Sequence, residues 1–499
     1  MISPVINWYF KQRSQDLREN LDRANLKQEE LFVELIERLS NTRYGEKYQI
    51  SEKTTYEDFC AKVPVVVYED LKPWIDRNMA GEQQLLWPSD IVWYAKSSGT
   101  TSNVAKFIPM SFESLEYNHY ECSRETLTQY CGFFPETEIF KGKGLLIGGS
   151  HRVNELNQNA FYGDLSAVLM NHLPAWVNWK STPDMEIAMM ENWEEKLEKV
   201  VEETLGKDMT LIGGIPPWMQ MYFDSLVAKT GKPVKDLFPN LQLLVQGGVN
   251  FEPYKTKLFE TIGKEIDTIE LFPASEGFFA FQDRRNEPGL LLNTNSGIFY
   301  EFIPLAEVHN ENPTRLSLGE VQLGAQYALI ISSNAGLWGY SIGDTVKFIS
   351  VDPYRIIVSG RVKHFISAFG EHVIGEEVEQ ALLKAATEMN VSVIEFTVAP
   401  FIAQGQGKSY HEWFIEFEKA PADLELFRQK LDTYLCEKNV YYKDLIDGKI
   451  LEPLKISALQ KNGFINYMRA QGKLGGQNKV PRLSNDRNIA DDLTHYINK

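Results

Sequence analysis

Six consecutive small residues, Ser97, Ser98, Gly99, Thr100, Thr101 and Ser102, stand in the stretch YAKSSGTTSNVAKFIP (94–109). Five of the six carry hydroxyls, and a run without bulk exposes many backbone N–H groups at once. With Lys106 supplying charge, the run is suited to cradling phosphate oxygens, although a flexible polar linker would have the same composition. Trp93–Tyr94 before it and Phe107–Ile108–Pro109 after it suggest that it is pinned between ordered elements. A second stretch, DTIELFPASEGFFAF (267–281), sets Ser275–Glu276–Gly277 between an apolar run and two phenylalanines. A carboxylate among aromatics is costly to bury alone, so Glu276 meets a cation, either Mg²⁺ or a basic side chain. In GLWGYSIGDTVKF (336–348), Gly343–Asp344 places a carboxylate at a turn. That carboxylate could accept from both hydroxyls of a ribose diol or simply cap the turn.

Other patterns fail on inspection. GQGKS (405–409) has Ile402 where a phosphate-binding Walker loop needs its first glycine, and GGSHR (148–152) has Arg152 where a nucleophile elbow ends in glycine. KGKGLLIGG has the wrong spacing for a dinucleotide fingerprint, and the eight histidines show no metal-ligand spacing.

The elements that must position these residues follow from periodicity. Leu17, Leu21, Leu31, Leu35 and Leu39 predict a helix over 11–40. LLIGG, LIGGI and LLVQGG (145–149, 211–215, 243–248) read as buried strands entering glycine loops, so an α/β core with a largely parallel sheet is expected over 60–280. Short β-rich runs at 289–360, among them GIFYEFI, EVQLG, YALIIS and TVKFISV, predict an antiparallel barrel or sheet. Beyond Gly360 the text predicts a small α+β unit. It has helices at 375–389 and 422–439 and strands at 391–400, 412–418 and 449–459, with 412–418 half-buried. Two domains are expected, 1–360 and 361–499.

Bulk properties narrow the class. With 499 residues, 43% hydrophobic and 12% aromatic, the chain can build large cores. Its 51 Lys+Arg against 68 Asp+Glu leave a net charge of −17, unsuited to nucleic acid or anionic membranes. Four scattered cysteines, no apolar run near 20 residues and no leader-like start predict a cytoplasmic protein; a monomer is expected.

Taken in order, SSGTT…K, SEG, Y-x-x-GD and GRVKHFISAFGEHV (360–373) resemble the adenylate-forming enzymes, which include acyl-CoA synthetases, peptide-synthetase adenylation domains and firefly luciferase. Within them the segments are most similar to the Gretchen Hagen family of auxin-responsive acyl acid amido synthetases, which has bacterial relatives. The resemblance spans about residues 90 to 482. It implies a large ATP- and acid-binding domain followed by a small mobile one, hinged near Lys363. The activity it implies is ATP- and Mg²⁺-dependent activation of a carboxylic acid as its acyl-adenylate, then transfer to an amine such as an amino acid. Thioester formation on CoA, or binding without turnover, are the alternatives.

By this resemblance Ser97, Ser98, Gly99, Thr100, Thr101 and Lys106 would hold the phosphates, and Gly247 and Gly248 would approach adenine. Phe272 and Ser275 would lie against the nucleotide, with Phe where the family usually has Tyr. Glu276 would hold Mg²⁺, Asp344 with Tyr340 and Arg361 would bind the ribose, and Lys479 in GGQNKVPR would be the mobile catalytic lysine. Asn103 and Ser341 depart from the family pattern. The acid pocket is expected among 111–130, 161–180 and 215–223, whose aromatics and methionines suit an apolar or aromatic acid. Arg124, His151 and Arg152 are candidates for pairing with its carboxylate.

Overall fold

A computed structural model describes every residue except 1–7, 11, 15–20, 98–105, 158–159, 174, 191, 249–250, 286, 309, 363–364, 367–372, 403–408, 448–450, 475–478, 485 and 499. Two compact units emerge: Met1–Ile342 with Lys347–Ile357, and Gly343–Val346 with Val358–Lys499.

The first unit opens on the helix Ala24–Ser40, preceded by a 3₁₀ turn at Leu21–Arg23. Its apolar stripe buries Phe32, Leu35, Ile36 and Leu39. Buried Gln28 fastens it, donating to the carbonyls of Thr294 and Ile298 and accepting from the Tyr300 N–H. Strands β1 (Trp93–Ser97) and β2 (Lys106–Met110) pair antiparallel. The next three are β3 (Lys143–Ile147), β4 (Asn154–Asn157) and β5 (Ala160–Gly163). Strands β1, β2, β4 and β5 form a four-stranded sheet, in which β5 runs parallel to β1.

The expected parallel core is present. Strand β3 runs parallel to β6 (Ser181–Thr182) and to β7 (Met209–Gly214), which is followed in parallel by β8 (Leu243–Gly247) and β9 (Asp267–Ala274). Glycine ends β7 and β8 where neighbours approach closely: a Cβ on Gly214 would stand 2.9 Å from the Ile147 carbonyl oxygen and one on Gly247 2.7 Å from that of Leu271. The chain then turns back through β10 (Gly277–Phe281), β11 (Leu290–Leu292), β12 (Ile298–Pro304), β13 (Gln326–Ser333), β14 (Tyr340–Val351) and β15 (Tyr354–Arg361). Of barrel or sheet, the structure has the sheet. These strands extend the parallel core into eleven strands, in the order β12-β13-β14-β15-β11-β10-β9-β8-β7-β3-β6. EVQLG (320–324) contributes no strand; it starts at the last residue of a 3₁₀ turn, Leu318–Glu320, and ends at Gly324, whose φ is +81°.

In the second unit a short pair, β16 (Phe365–Ile366) and β17 (Val373–Ile374), precedes the helix Gly375–Met389. A three-stranded sheet follows, β18 (Ser392–Phe401), β19 (Tyr410–Lys419) and β20 (Lys455–Leu459). Its first core packs Trp413 and Ile415 of β19 with Val378 and Leu382 of that helix and with Phe427, Leu431 and Leu435 of the helix Leu424–Lys438. A second core gathers Phe414, Leu459, Phe464, Tyr467 and Leu493. The half-buried reading of 412–418 is therefore corrected: β19 is covered on both faces. Glu416, 1% exposed, accepts from the N–H groups of Asn462 and Phe464 at the start of the helix Gly463–Ala470. Among the described residues no helix is long and apolar enough to cross a membrane.

Candidate active site

In the β1–β2 ladder the last pair is Ser97 with Lys106, so the hydroxyl-rich run joins two strand ends. Ser98, Gly99, Thr100, Thr101 and Asn103 of that run lie outside the described residues, as does Lys363. Lys106 lies with its ammonium 5.4 Å from the centre of the Tyr68 ring, a cation–π contact. The hydroxyl of Tyr68 accepts from the Phe107 N–H at 2.9 Å, tying β2 to the helix Tyr68–Met79. Sequence reading missed Tyr68. The only signal there was a helix start, with Asp70 accepting from the Val67 N–H.

Ser275 and Glu276 are the two residues between β9 and β10, whose last pair is Ala274 with Gly277. Ser275 is buried; Glu276 is half-buried and accepts from the Tyr340 hydroxyl at 3.3 Å. Burial and the Glu276 charge hold the Tyr340 phenol protonated well above its ordinary range. Tyr340 is thus a partner of Glu276. Buried Asn118 clamps this turn by accepting from the Phe278 N–H at 2.7 Å and donating to the carbonyls of Phe278 and Ser296. Gly277 leaves room for Ile298: a Cβ would stand 2.4 Å from its Cδ1, and that side chain would have to shift. Phe272 is buried against Phe279, ring centres 5.1 Å apart. Gly247 ends β8, and Gly248 follows with φ +83°.

The donor set bears on Mg²⁺. Among the described residues no three His, Cys, Asp or Glu gather as a ready metal cage. A lone half-buried carboxylate fits a Mg²⁺ that keeps waters and shares substrate phosphates, not a cation caged by protein alone.

In the second unit, Asp344 is 8% exposed and accepts from the Arg361 Nε at 2.6 Å. The Val362 N–H donates to the carbonyl of Gly343, whose φ is +83°. Lys479 lies within the field of both charges. Burial, then the Arg361 charge, pushes its ammonium down to about 8, with Asp344 opposing. Asp344, Arg361 and Lys479, far apart in sequence, are thus brought together.

The candidates for the acid's carboxylate fare differently. Arg124 is ion-paired with Glu116 at 3.4 Å and Glu121 at 3.2 Å. Arg152 is exposed. His151 is 3% exposed, and neither ring nitrogen has a hydrogen-bond partner among the described residues. Burial and the Lys196 charge push it down to about 4, so at neutral pH it is uncharged. Sequence reading passed over Lys196, whose ammonium donates to the carbonyls of Gly149, Ala188 and Gly148 and is pushed down to about 8 by burial. Of the presumed pocket segments, 215–223 contributes core: Met219, Tyr222 and Phe223 are fully buried. The Tyr120 hydroxyl donates to the Leu169 carbonyl at 2.6 Å, joining 111–130 to 161–180.

Family models cover most of the chain: the GH3 family N-terminal domain matches 13–155 and 137–266, the central domain 291–361 and the C-terminal domain 376–488. The chain belongs to the GH3 family. It is 22% identical to the indole-3-acetic acid-amido synthetase GH3.3 of Arabidopsis thaliana, over 91% of this chain and 88% of that one. Its fold is similar to that of the GH3.15 acyl acid amido synthetase (TM-score 0.79, 16% identity, 98% and 97% of the two chains). It is also similar to that of a 2-hydroxyisobutyryl-CoA ligase in complex with 2-HIB-AMP (TM-score 0.60, 14% identity, 97% and 92%). This is the adenylate-forming architecture, a large α/β domain followed by a smaller one.

Proposed function

We propose that this GH3 protein activates a small, apolar or aromatic carboxylic acid with ATP and transfers the acyl group to an amino acid, forming an amide. In the first half-reaction a carboxylate oxygen of the acid attacks the α-phosphorus of ATP. The bond to the bridging oxygen breaks, and pyrophosphate leaves with its electron pair. In the second, the amine nitrogen attacks the acyl carbon, AMP departs, and the nitrogen releases a proton to solvent or base.

The roles we assign rest on residue chemistry and on the family resemblance. Ser97 to Thr101 and Lys106 receive the phosphates, with Tyr68 holding Lys106. Gly247, Gly248, Phe272 and Ser275 line the nucleotide, and Asp344 with Arg361 takes the ribose. Glu276, oriented by Tyr340, would hold Mg²⁺, which when bound neutralises phosphate charge. Lys479 stabilises charge developing on the α-phosphate during adenylation. Residues 361–499 turn about Lys363 between half-reactions, withdrawing Lys479 and admitting the amine. The protein acts as a cytoplasmic monomer.

The observation that carries this reading is the convergence of Lys479 with Asp344 and Arg361 in a chain whose three GH3 domains are all matched. The test is pyrophosphate release from ATP with aromatic, indolyl and medium-chain aliphatic acids, each supplied with amino acids or with CoA. Acid-dependent release followed by amide is the expected result. Thioester without amide would replace the acceptor, and nucleotide binding with no release for any acid would overturn the reading.

A further inference from the structure

Three residues beyond Lys479 the chain is fastened to the small sheet. The Val398 N–H donates to the Arg482 carbonyl and the Ser484 N–H to the Val398 carbonyl, both at 2.9 Å, so Leu483 pairs in parallel with β18. The Thr397 hydroxyl, on a side chain 1% exposed, donates to the Pro481 carbonyl at 2.7 Å. Arg482 completes the attachment with its side chain. Its Nε lies 3.3 Å from a Glu379 carboxylate oxygen on the helix Gly375–Met389, and its Nη1 is ion-paired with Glu395 on β18. The same nitrogen donates to the Phe396 carbonyl, and the guanidinium lies 4.7 Å from the centre of the Phe396 ring. All three charged side chains are largely buried, with exposures of 14% for Arg482 and 17% for each glutamate.

This attachment does more than close a core. One guanidinium answers carboxylates from two different elements, a task for a planar fork that a lysine's point charge performs poorly. Pro481 fixes its own φ, leaving Val480 alone between the anchored segment and Lys479. A charge that acts on a transition state must be held to a fraction of an ångström by its supports. The helix, the strand edge and the segment bearing Lys479 therefore move as one piece.

We propose that Arg482 is a positioning residue for adenylation: clamped by Glu379 and Glu395, it fixes on β18 the segment from which Lys479 reaches the α-phosphate. The inference rests on the catalytic reading of Lys479 above. The experiment compares Lys479→Ala, Arg482→Ala and the double variant in the full chain. It follows pyrophosphate release with ATP and the fastest acid of the panel, and aminolysis of presynthesised acyl-adenylate. Arg482→Ala is expected to lower kcat for pyrophosphate release about 10- to 100-fold, as misplacement of a catalytic group does. KM for ATP and the aminolysis rate should stay within about twofold, and in the Lys479→Ala background the same change should cost nothing further.

An equal loss with and without the Lys479 side chain would make Arg482 merely structural and overturn the inference, as would full activity of Arg482→Ala. If Lys479→Ala itself releases pyrophosphate normally, the catalytic reading fails first and takes this one with it. Should Arg482→Ala not fold, Thr397→Val substitutes for it. It removes one anchoring hydroxyl and should lower pyrophosphate release about 3- to 10-fold, a loss that the Lys479→Ala background should abolish. An undiminished rate, or a loss that persists without the Lys479 side chain, would overturn the inference.

Discussion

At the residue scale, Asp344 and Lys479 carry the most chemical information. Asp344 is buried, and its partner is the Arg361 guanidinium. A ribose diol would share that carboxylate with Arg361, so Asp344→Ala removes a charged acceptor from both. The expected cost to ATP binding is ~1.5–3 kcal/mol, the range for hydrogen bonds to a charged group. A nucleotide titration showing unchanged affinity would reduce Asp344, which lies in strand β14 and not at the expected turn, to a structural ion-pair partner of Arg361. Lys479 gives a pH dependence with a definite sign. Its ammonium is pushed down to about 8, so it is charged below that pH and neutral above it. If the charge serves adenylation, kcat/KM for pyrophosphate release, which reports the free enzyme, falls as pH rises through about 8. In Lys479→Ala that limb should vanish; a limb that survives the substitution would belong to another group. The loop hydroxyls and Asp344 could be picked out of the sequence by residue type. Tyr68 could not, because its role depends on a helix start meeting β2 across 39 positions of sequence.

At the scale of elements, the β9–β10 turn shows how the fold presents a single carboxylate. Asn118, from the π-helical turn Leu115–Tyr120, satisfies backbone groups of β10 that are otherwise buried. Asn118→Ala leaves the Phe278 N–H without its acceptor and should destabilise the large unit by ~2–3 kcal/mol. It should also weaken Mg²⁺-dependent ATP binding through Glu276. Chemical denaturation with a midpoint equal to wild type would remove Asn118 from this role. Elements were legible where local pattern suffices. The helix expected at 375–389 is found at those residues, its amphipathic face ending at Asn390 in the left-handed region. Of the strand expected at 449–459, Lys455–Leu459 form β20 and Leu451 makes an isolated bridge with Ser409; Pro453 between them has no N–H for a ladder, and 449–450 lie outside the described residues. The helix expected over 11–40 is continuous from Ala24. Strand β19 was misread because alternation reports polarity alone. Glu416 is polar yet buried, its charge spent on the first turn of a helix nearly fifty residues later.

For the molecule as a whole, sequence order and spatial order diverge, and that divergence set the limit of what could be read. The parallel strands β3, β7 and β8 announced themselves as apolar runs entering glycine loops, whereas β9 ends in Ala274 and gave no such signal. That β15 returns to pair with β11, making one eleven-stranded sheet, rests on a long-range pairing, Leu290 with Ile356, that has no local signature. The same holds for the second unit, where a segment near residue 482 adds itself to the edge of β18. The account makes Lys479 the group that separates the two half-reactions, and one variant tests that directly. Lys479→Ala should slow pyrophosphate release by at least ~100-fold, comparable to losing a preorganised charge donor. Given presynthesised acyl-adenylate, the same variant should still form amide at a near wild-type rate. Equal losses in both half-reactions, or none in either, would contradict the assignment of Lys479 to adenylation.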